Sequence, residues 1–265
     1  MDGHASHTLY IWPQGFYPRR VVYYLIIKGL ATPAGIFQGK SATASLKLSL
    51  IAYNPDTKTL DSIDVDDPKP ADKTIPCMRI VDSSKGTTHW IHESTAIPAY
   101  LEDAYTELPP LQSSDIVNRA IMGDIILAIN AAQDDFSYYL RHASPIACKF
   151  SGLDEKDRDY RAALNAKAQM NKGLRKVQNW AAESLRESGW LTPGITTPGL
   201  ADVCLAGWVR YIWLAYEFDV LEGENLDGLR EWWTRFQNLP WWKEMEEIEE
   251  VHPKDLRFGR KSLDV

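Results

Sequence analysis

The sequence changes character once, at Glu107-Leu108-Pro109-Pro110, and that break limits what the chain can fold into more than any other feature. Before it, short runs of strand type surround a helix. After it, to about residue 250, every segment reads as helix. Such a division fits two packed units rather than one mixed core. A length of 265 residues allows one large domain or two modest ones. The break favours two: 1–106, a linker over 107–112, and an all-helical 113–265. Apolar residues make up 45% of the chain, enough to build a buried core.

In the first part, residues 8–12 (Thr-Leu-Tyr-Ile-Trp) are β-branched and aromatic, and Pro13 ends the strand they predict. Residues 17–28 read as a helix. Pro18 suits a first turn, where its missing N–H is not needed, Val21, Val22, Leu25 and Ile26 recur at helical spacing, and Gly29 closes it. Residues 45–50 alternate strictly, so Leu46, Leu48 and Leu50 share one sheet face. Residues 54–74 are polar and rich in Pro and Asp, hence loop. Residues 75–81 and 89–92 read as a hairpin turning at 83–86. Ser94 can N-cap a helix over 95–104, with Ile97 and Leu101 on one face. The order β-α-β-loop-β-β-α is a thioredoxin-like plan.

In the second part, a long helix covers 114–141 and another 154–188. Residues 199–218 are apolar nearly all round and so buried. Two short helices follow, at 230–238 and 241–249, separated by Pro240. Asp202, three residues after Gly199, sits where a capping carboxylate reaches back to the N-cap N–H. Glycine in place of Ser or Thr leaves half of that box missing, which predicts a weaker cap.

Composition narrows the function. A formal net charge of -7 argues against a broad nucleic-acid surface, which needs a Lys/Arg excess. The longest apolar run, 203–218, is interrupted by Arg210 and is too short for a comfortable membrane span. The first ten residues show neither a basic segment nor an apolar one of secretory type. Three cysteines, Cys77, Cys148 and Cys204, lie far apart without a CxxC pair, which reads as a reducing, cytoplasmic setting. Six histidines show no metal-ligand spacing, so no metal is expected.

Three local motifs carry a resemblance. They are Leu9-Tyr-Ile-Trp-Pro-Gln-Gly-Phe-Tyr-Pro-Arg-Arg-Val21, Ile75-Pro76 before a strand, and Glu93-Ser-Thr-Ala-Ile-Pro-Ala-Tyr-Leu-Glu102. Gly199-Leu-Ala-Asp202 adds a weaker fourth. Together they resemble the cytosolic glutathione S-transferase superfamily over most of the chain, and the wording of the first is most like fungal glutathione S-transferase-like proteins. The resemblance implies an α+β two-domain fold: a thioredoxin-like N-terminal domain (β-α-β-α-β-β-α) and an all-α C-terminal domain. It implies glutathione as co-substrate, an apolar small molecule as second substrate, and a homodimer.

The resemblance also assigns roles. The bond before Pro76 is cis in that family, where a tight turn presents the backbone of Ile75 to the cysteinyl unit of glutathione. Ser94, at a helix N-terminus, offers donors to the γ-glutamyl carboxylate, and Glu93 accepts from the ammonium. Arg19 or Arg20 lines the cleft and the other faces solvent. Related proteins place Ser or Cys in the first loop to hold the sulfur, and here that column is Gly15. Either Tyr17, Gln14, Tyr10 or the N–H of Phe16 supplies the donor, or thiolate activation is not needed. Trp12, Phe16, Met122, Ile126 and Asn130 are candidate walls of the apolar pocket. The reaction so implied is transfer of the thiolate to a hydrophobic electrophile. The alternatives are glutathione-dependent isomerase or lyase chemistry, in detoxification or secondary metabolism, and non-catalytic binding of glutathione or another ligand.

Overall fold

The computed structural model describes residues 5–263, and the side chain of Glu250 is excepted. The first four residues, part of the stretch weighed above as a signal, lie outside it. The chain divides into two compact units. Of the described residues, the first holds 5–112 and 238–253, the second 113–237 and 254–263.

The first unit is a mixed sheet with helices. Strand β1 (Ala5–Ile11) leads through helix α1 (Phe16–Lys28) and helix α2 (Pro33–Gln38) to β2 (Leu46–Asn54). Then come β3 (Thr59–Ser62), β4 (Cys77–Asp82), β5 (Thr87–Ile91) and helix α3 (Ala96–Ala104). The sheet order is β3-β2-β1-β4-β5, with β1 and β2 parallel and the other pairs antiparallel. Leu9 lies between Leu48 and Met78 in the ladder, and all three are buried. From the same face His7 bonds the hydroxyls of Tyr100 at 3.0 Å and Tyr105 at 3.2 Å, which ties α3 and its end to the sheet.

The thioredoxin-like architecture stands, with one change in element order. The resemblance puts a helix after the second strand. The second helix instead precedes that strand, and β2 turns back into β3. Asn54 makes the turn, its Oδ1 accepting from the N–H of Asp56 and Thr57. The loop expected over 54–74 is thus interrupted by β3 at Thr59–Ser62, the strand expected from 75 starts at Cys77, and residues 63–76 cross without regular structure. A carboxylate docks them on the sheet. Asp67 accepts from Arg79 at 2.8 and 2.9 Å, from Tyr10 at 2.9 Å and from Lys47 at 3.1 Å. The Arg79 bonds chiefly hold the Asp67 carboxyl well below its ordinary value. Burial, and then its bond to Asp67, push the Tyr10 hydroxyl up to about 12.

The second unit is helical among its described residues. It comprises α4 (Ile116–Ala143), α5 (Pro145–Phe150), α6 (Tyr160–Trp180), α7 (Ala182–Glu187), α8 (Leu200–Tyr216) and α9 (Asp227–Gln237). The helix expected over 154–188 is broken, because Asp159 caps α6 with bonds from the N–H of Arg161 and Ala162 and the chain turns at Ala181. The cap of α8 is not the weak one that Gly199 predicts. Asp202 accepts from Gly199 N–H at 2.9 Å, and the missing hydroxyl comes from Thr192, whose Oγ1 accepts from Ala201 N–H at 3.1 Å. Helix α10 (Trp242–Glu246), read from sequence as part of the helical domain, groups with the first unit.

Candidate functional site

The chain leaves β1 through Trp12 and Pro13, turns on a bond from Gly15 N–H to Trp12 C=O at 2.9 Å, and enters α1. Gly15 is the N-cap residue, extended at φ -73° and ψ 158°, and α1 has neither a side-chain cap nor an acid in its first turn. A Cβ at Gly15 would lie 2.7 Å from Trp12 Cε3 and 3.0 Å from Pro18 Cγ. Serine or cysteine therefore cannot stand here without displacing the indole, which stacks on Tyr53. Tyr17 follows, 46% exposed. Its ring is 4.7 Å from that of Phe16, with the Arg20 guanidinium 5.7 Å from its centroid.

The bond between Ile75 and Pro76 is cis. Cys77, next on β4, is buried, and burial pushes its thiol up to about 11, so it stays protonated at neutral pH. At the start of α3 the structure differs from the expected Ser94 cap. Thr95 is the N-cap residue without a side-chain cap bond, and the Glu93 carbonyl accepts from Ala96 and Ile97, each at 3.0 Å. Ser94 is buried and Glu93 exposed.

These segments meet at a cavity of about 650 Å³ within the first unit. Its lining includes Tyr17, Ile75, Pro76, Glu93 and Ser94, five of the residues singled out from sequence. It also includes Leu60, Lys69, Lys73, Thr74 and His92, which sequence reasoning missed. Lys69 Nζ donates to the carbonyls of Pro70 at 2.7 Å and Lys73 at 2.6 Å. Lys73 Nζ pairs with Asp72 at 2.7 Å and lies 5.7 Å from the Trp90 ring centroid. Only the polarity of 54–74 hinted at them. Which lysines reach the cavity depends on how Asp67 docks the loop.

Gln14, Phe16 and Trp12 are half-buried at the same loop but do not line this cavity. Arg19 does not serve it either. It is wholly buried and paired with Glu246 at 2.5 Å, so the ligand-holding role expected of it does not fit. Arg20, buried beneath Tyr17, does not face solvent. On α4 in the second unit, Met122 is buried, Ile126 is half-buried, and half-buried Asn130 accepts from the Cys204 thiol at 3.7 Å. Among the described residues no group of three His, Cys, Asp or Glu could hold a metal ion, and no helix is long and apolar enough to cross a membrane.

No protein-family model matches the chain, and no curated protein does. Solved structures do. A maleylacetoacetate isomerase from Anaeromyxobacter dehalogenans, with dicarboxyethyl glutathione and citrate in its active site, is 17% identical over 96% of this chain and 97% of its own, with a TM-score of 0.59. A glutathione S-transferase from Methylobacillus flagellatus with glutathione bound is 14% identical over 94% of this chain and 100% of its own, also at 0.59. The trimeric glutathione transferase TDR1 of Leishmania is 14% identical over 95% of this chain, with a TM-score of 0.57, and the chain spans half of its length. At such identities the likeness is one of fold: this is the glutathione transferase architecture.

Proposed function

We propose that the cavity of the first unit binds glutathione and that the protein joins the bound thiolate to a hydrophobic electrophile. What carries the reading is the meeting of Tyr17, Ile75, Pro76, Glu93 and Ser94, from three segments distant in sequence, on one cavity. Each offers what one part of a γ-glutamyl tripeptide requires. Glu93 accepts from the α-ammonium. Ser94 donates to the α-carboxylate beside the start of α3, where the helix dipole adds to the attraction. The backbone of Ile75 pairs with the cysteinyl unit as one strand with another. The Tyr17 hydroxyl, on the cavity wall, is the donor for the sulfur. A donor at the sulfur favours thiolate over thiol, and holding the thiolate beside an electrophile supplies the rest of the rate.

Two neighbours of the same fold are described with glutathione or a glutathione adduct bound, which supports the same ligand here. The reading carries with it a cytoplasmic homodimer, for which the exposed Val117, Ile121 and Leu127 of α4 are support. The second reading, a non-catalytic binder, is favoured by one observation: the Trp12 indole fills the space where a side chain at position 15 would stand. An isomerase or lyase would use the same site, and a product without the sulfur adduct would identify it.

Calorimetry with glutathione and S-methylglutathione tests the binding. No heat with either means that the reading should be abandoned. Tyr17→Phe tests the donor. The pKa of the bound thiol is expected to rise toward its free value, and turnover to fall by about tenfold. Unchanged turnover removes Tyr17 from the mechanism. A bound thiol with its free pKa in the unmutated protein favours the binder.

A further inference from the structure

The first turn of α1 carries Tyr17, and its N-cap residue, Gly15, has no side chain to cap it. Its anchor comes from more than two hundred residues away. Arg19 turns inward, wholly buried, with Nη1 2.5 Å from Glu246 Oε1 and Nη2 donating to the Val251 carbonyl at 2.9 Å. One turn further on, the Tyr23 hydroxyl donates to the same Glu246 oxygen at 2.8 Å. The rings of Trp241 and Trp242 stand 5.3 and 6.2 Å from that of Tyr23. All the partners belong to 238–253, the segment that groups with the first unit although it follows α9 in the chain.

We propose that 238–253 is a strap that sets the position of the α1 start, and that Glu246 is the positioning residue for Tyr17. The proposal rests on the reading that Tyr17 serves a bound thiol. Glu246 does not line the cavity, so it acts through Arg19, two residues along the same turn. Neither side chain of the pair has exposed surface, so the bond cannot loosen gradually into water. A turn fixed in this way cannot slide or rotate without breaking the pair. An error of about an ångström in a reacting group can cost about a hundredfold in rate.

The test compares stability with turnover. Glu246→Gln alone leaves a buried guanidinium without a counter-charge and endangers folding. Arg19→Met combined with Glu246→Leu removes both charges, and replacing a buried ion pair by apolar side chains is often neutral for stability. In this double variant the Tyr23 hydroxyl and the Val251 carbonyl each lose a partner, so the thermal midpoint is expected to fall by a few degrees while the protein stays folded. Amide exchange at residues 19–24 in the ligand-free protein should quicken by about tenfold, while β4 keeps its protection. The KM for glutathione should stay within about twofold, because Ile75, Glu93 and Ser94 are untouched, and kcat should fall by about tenfold. Unaltered exchange at 19–24, or unaltered kcat, in the folded double variant overturns the proposal. If the double variant does not fold, Tyr23→Phe, which keeps the ion pair and removes one neutral donor, carries the same comparison at smaller amplitude. If the unmutated protein fails to bind glutathione, the proposed function falls, and amide exchange alone decides whether the strap exists.

Discussion

Helices α1 and α8 both begin on a glycine in extended conformation, and the chain completes the two starts in opposite ways. At α8 a buried carboxylate gathers the start. Asp202, wholly buried, accepts from the N–H groups of Leu191, Thr192 and Gly199, from the Thr192 hydroxyl and from the Trp232 indole, all between 2.7 and 3.1 Å. At α1 no side chain caps the N-terminus, Tyr17 is turned out to a cavity, and the buried Arg19–Glu246 pair anchors the first turn from a distant segment. The lesson is about what a helix N-terminus is for. Where its donors are satisfied internally it is a joint of the fold. Where it carries no side-chain cap and opens beside a cavity, it can face a ligand.

Asp202→Ala is the severest way to test the closed start. It strands several buried donors at once, and should cost about 4 kcal/mol in urea unfolding. A cost below about 1 kcal/mol would mean that the network is not what holds this start. Next comes Glu246→Gln, expected to cost about 3 kcal/mol by the same measurement, because Arg19 keeps its charge in a buried place. Thr192→Val removes the borrowed hydroxyl of the α8 cap and should lower stability by about 1–2 kcal/mol, visible in thermal melting. Gly15→Ser would give α1 the capping hydroxyl that it lacks, worth about 1 kcal/mol, but its Cβ must displace the Trp12 ring, and the clash should win by about 1 kcal/mol. A stabilised serine variant would show that the bare start is not imposed by packing.

Acid should produce the smallest effect, with opposite sign in the two units. Asp67 is held below its ordinary 3.8, chiefly by Arg79. Its contribution to the first unit is therefore complete above that value and is lost as the pH falls below it. Asp202 is held above 3.8 by burial, against the pull of its hydrogen bonds. Its contribution grows as the pH falls through its folded value toward 3.8, and is lost again as the pH rises. Amide exchange followed down the pH scale should therefore show 63–76 loosening below pH 3.8 before the start of α8 does. The reverse order would contradict both assignments.

Much of the fold was legible. Alternation at Leu46 and Leu48, helical spacing from Val21 to Ile26 and the break at Pro109-Pro110 are local signals that local sterics and burial enforce, although Ser49 is buried and Leu50 only half-buried. The residue pattern itself reads 54–74 as loop, and only the resemblance implies a helix there; what was not legible is strand β3 at Thr59–Ser62. The loop after β3 is held by Asp67, Asp64 and Ser62, and a carboxylate in a Pro- and Asp-rich stretch looks the same in sequence whether docked or solvated. The site was legible in half. Tyr17, Ile75, Pro76, Glu93 and Ser94 sit in motifs, whereas Lys69 and Lys73 line the cavity only because of that docking. Arg19 shows the opposite error: a cation at a helix start reads as a ligand contact until Glu246 is seen beside it.

The sequence by itself determined the two-part division, the alternation of the sheet and the glycines at two helix starts, since each depends on neighbours a few positions away. Only the tertiary structure decided which helix start is closed and which faces a cavity, because Thr192, Asp202, Glu246 and Val251 act across loops whose closure no local pattern encodes. Burial converts those remote groups into fixed partners, and it is a property of the folded chain alone.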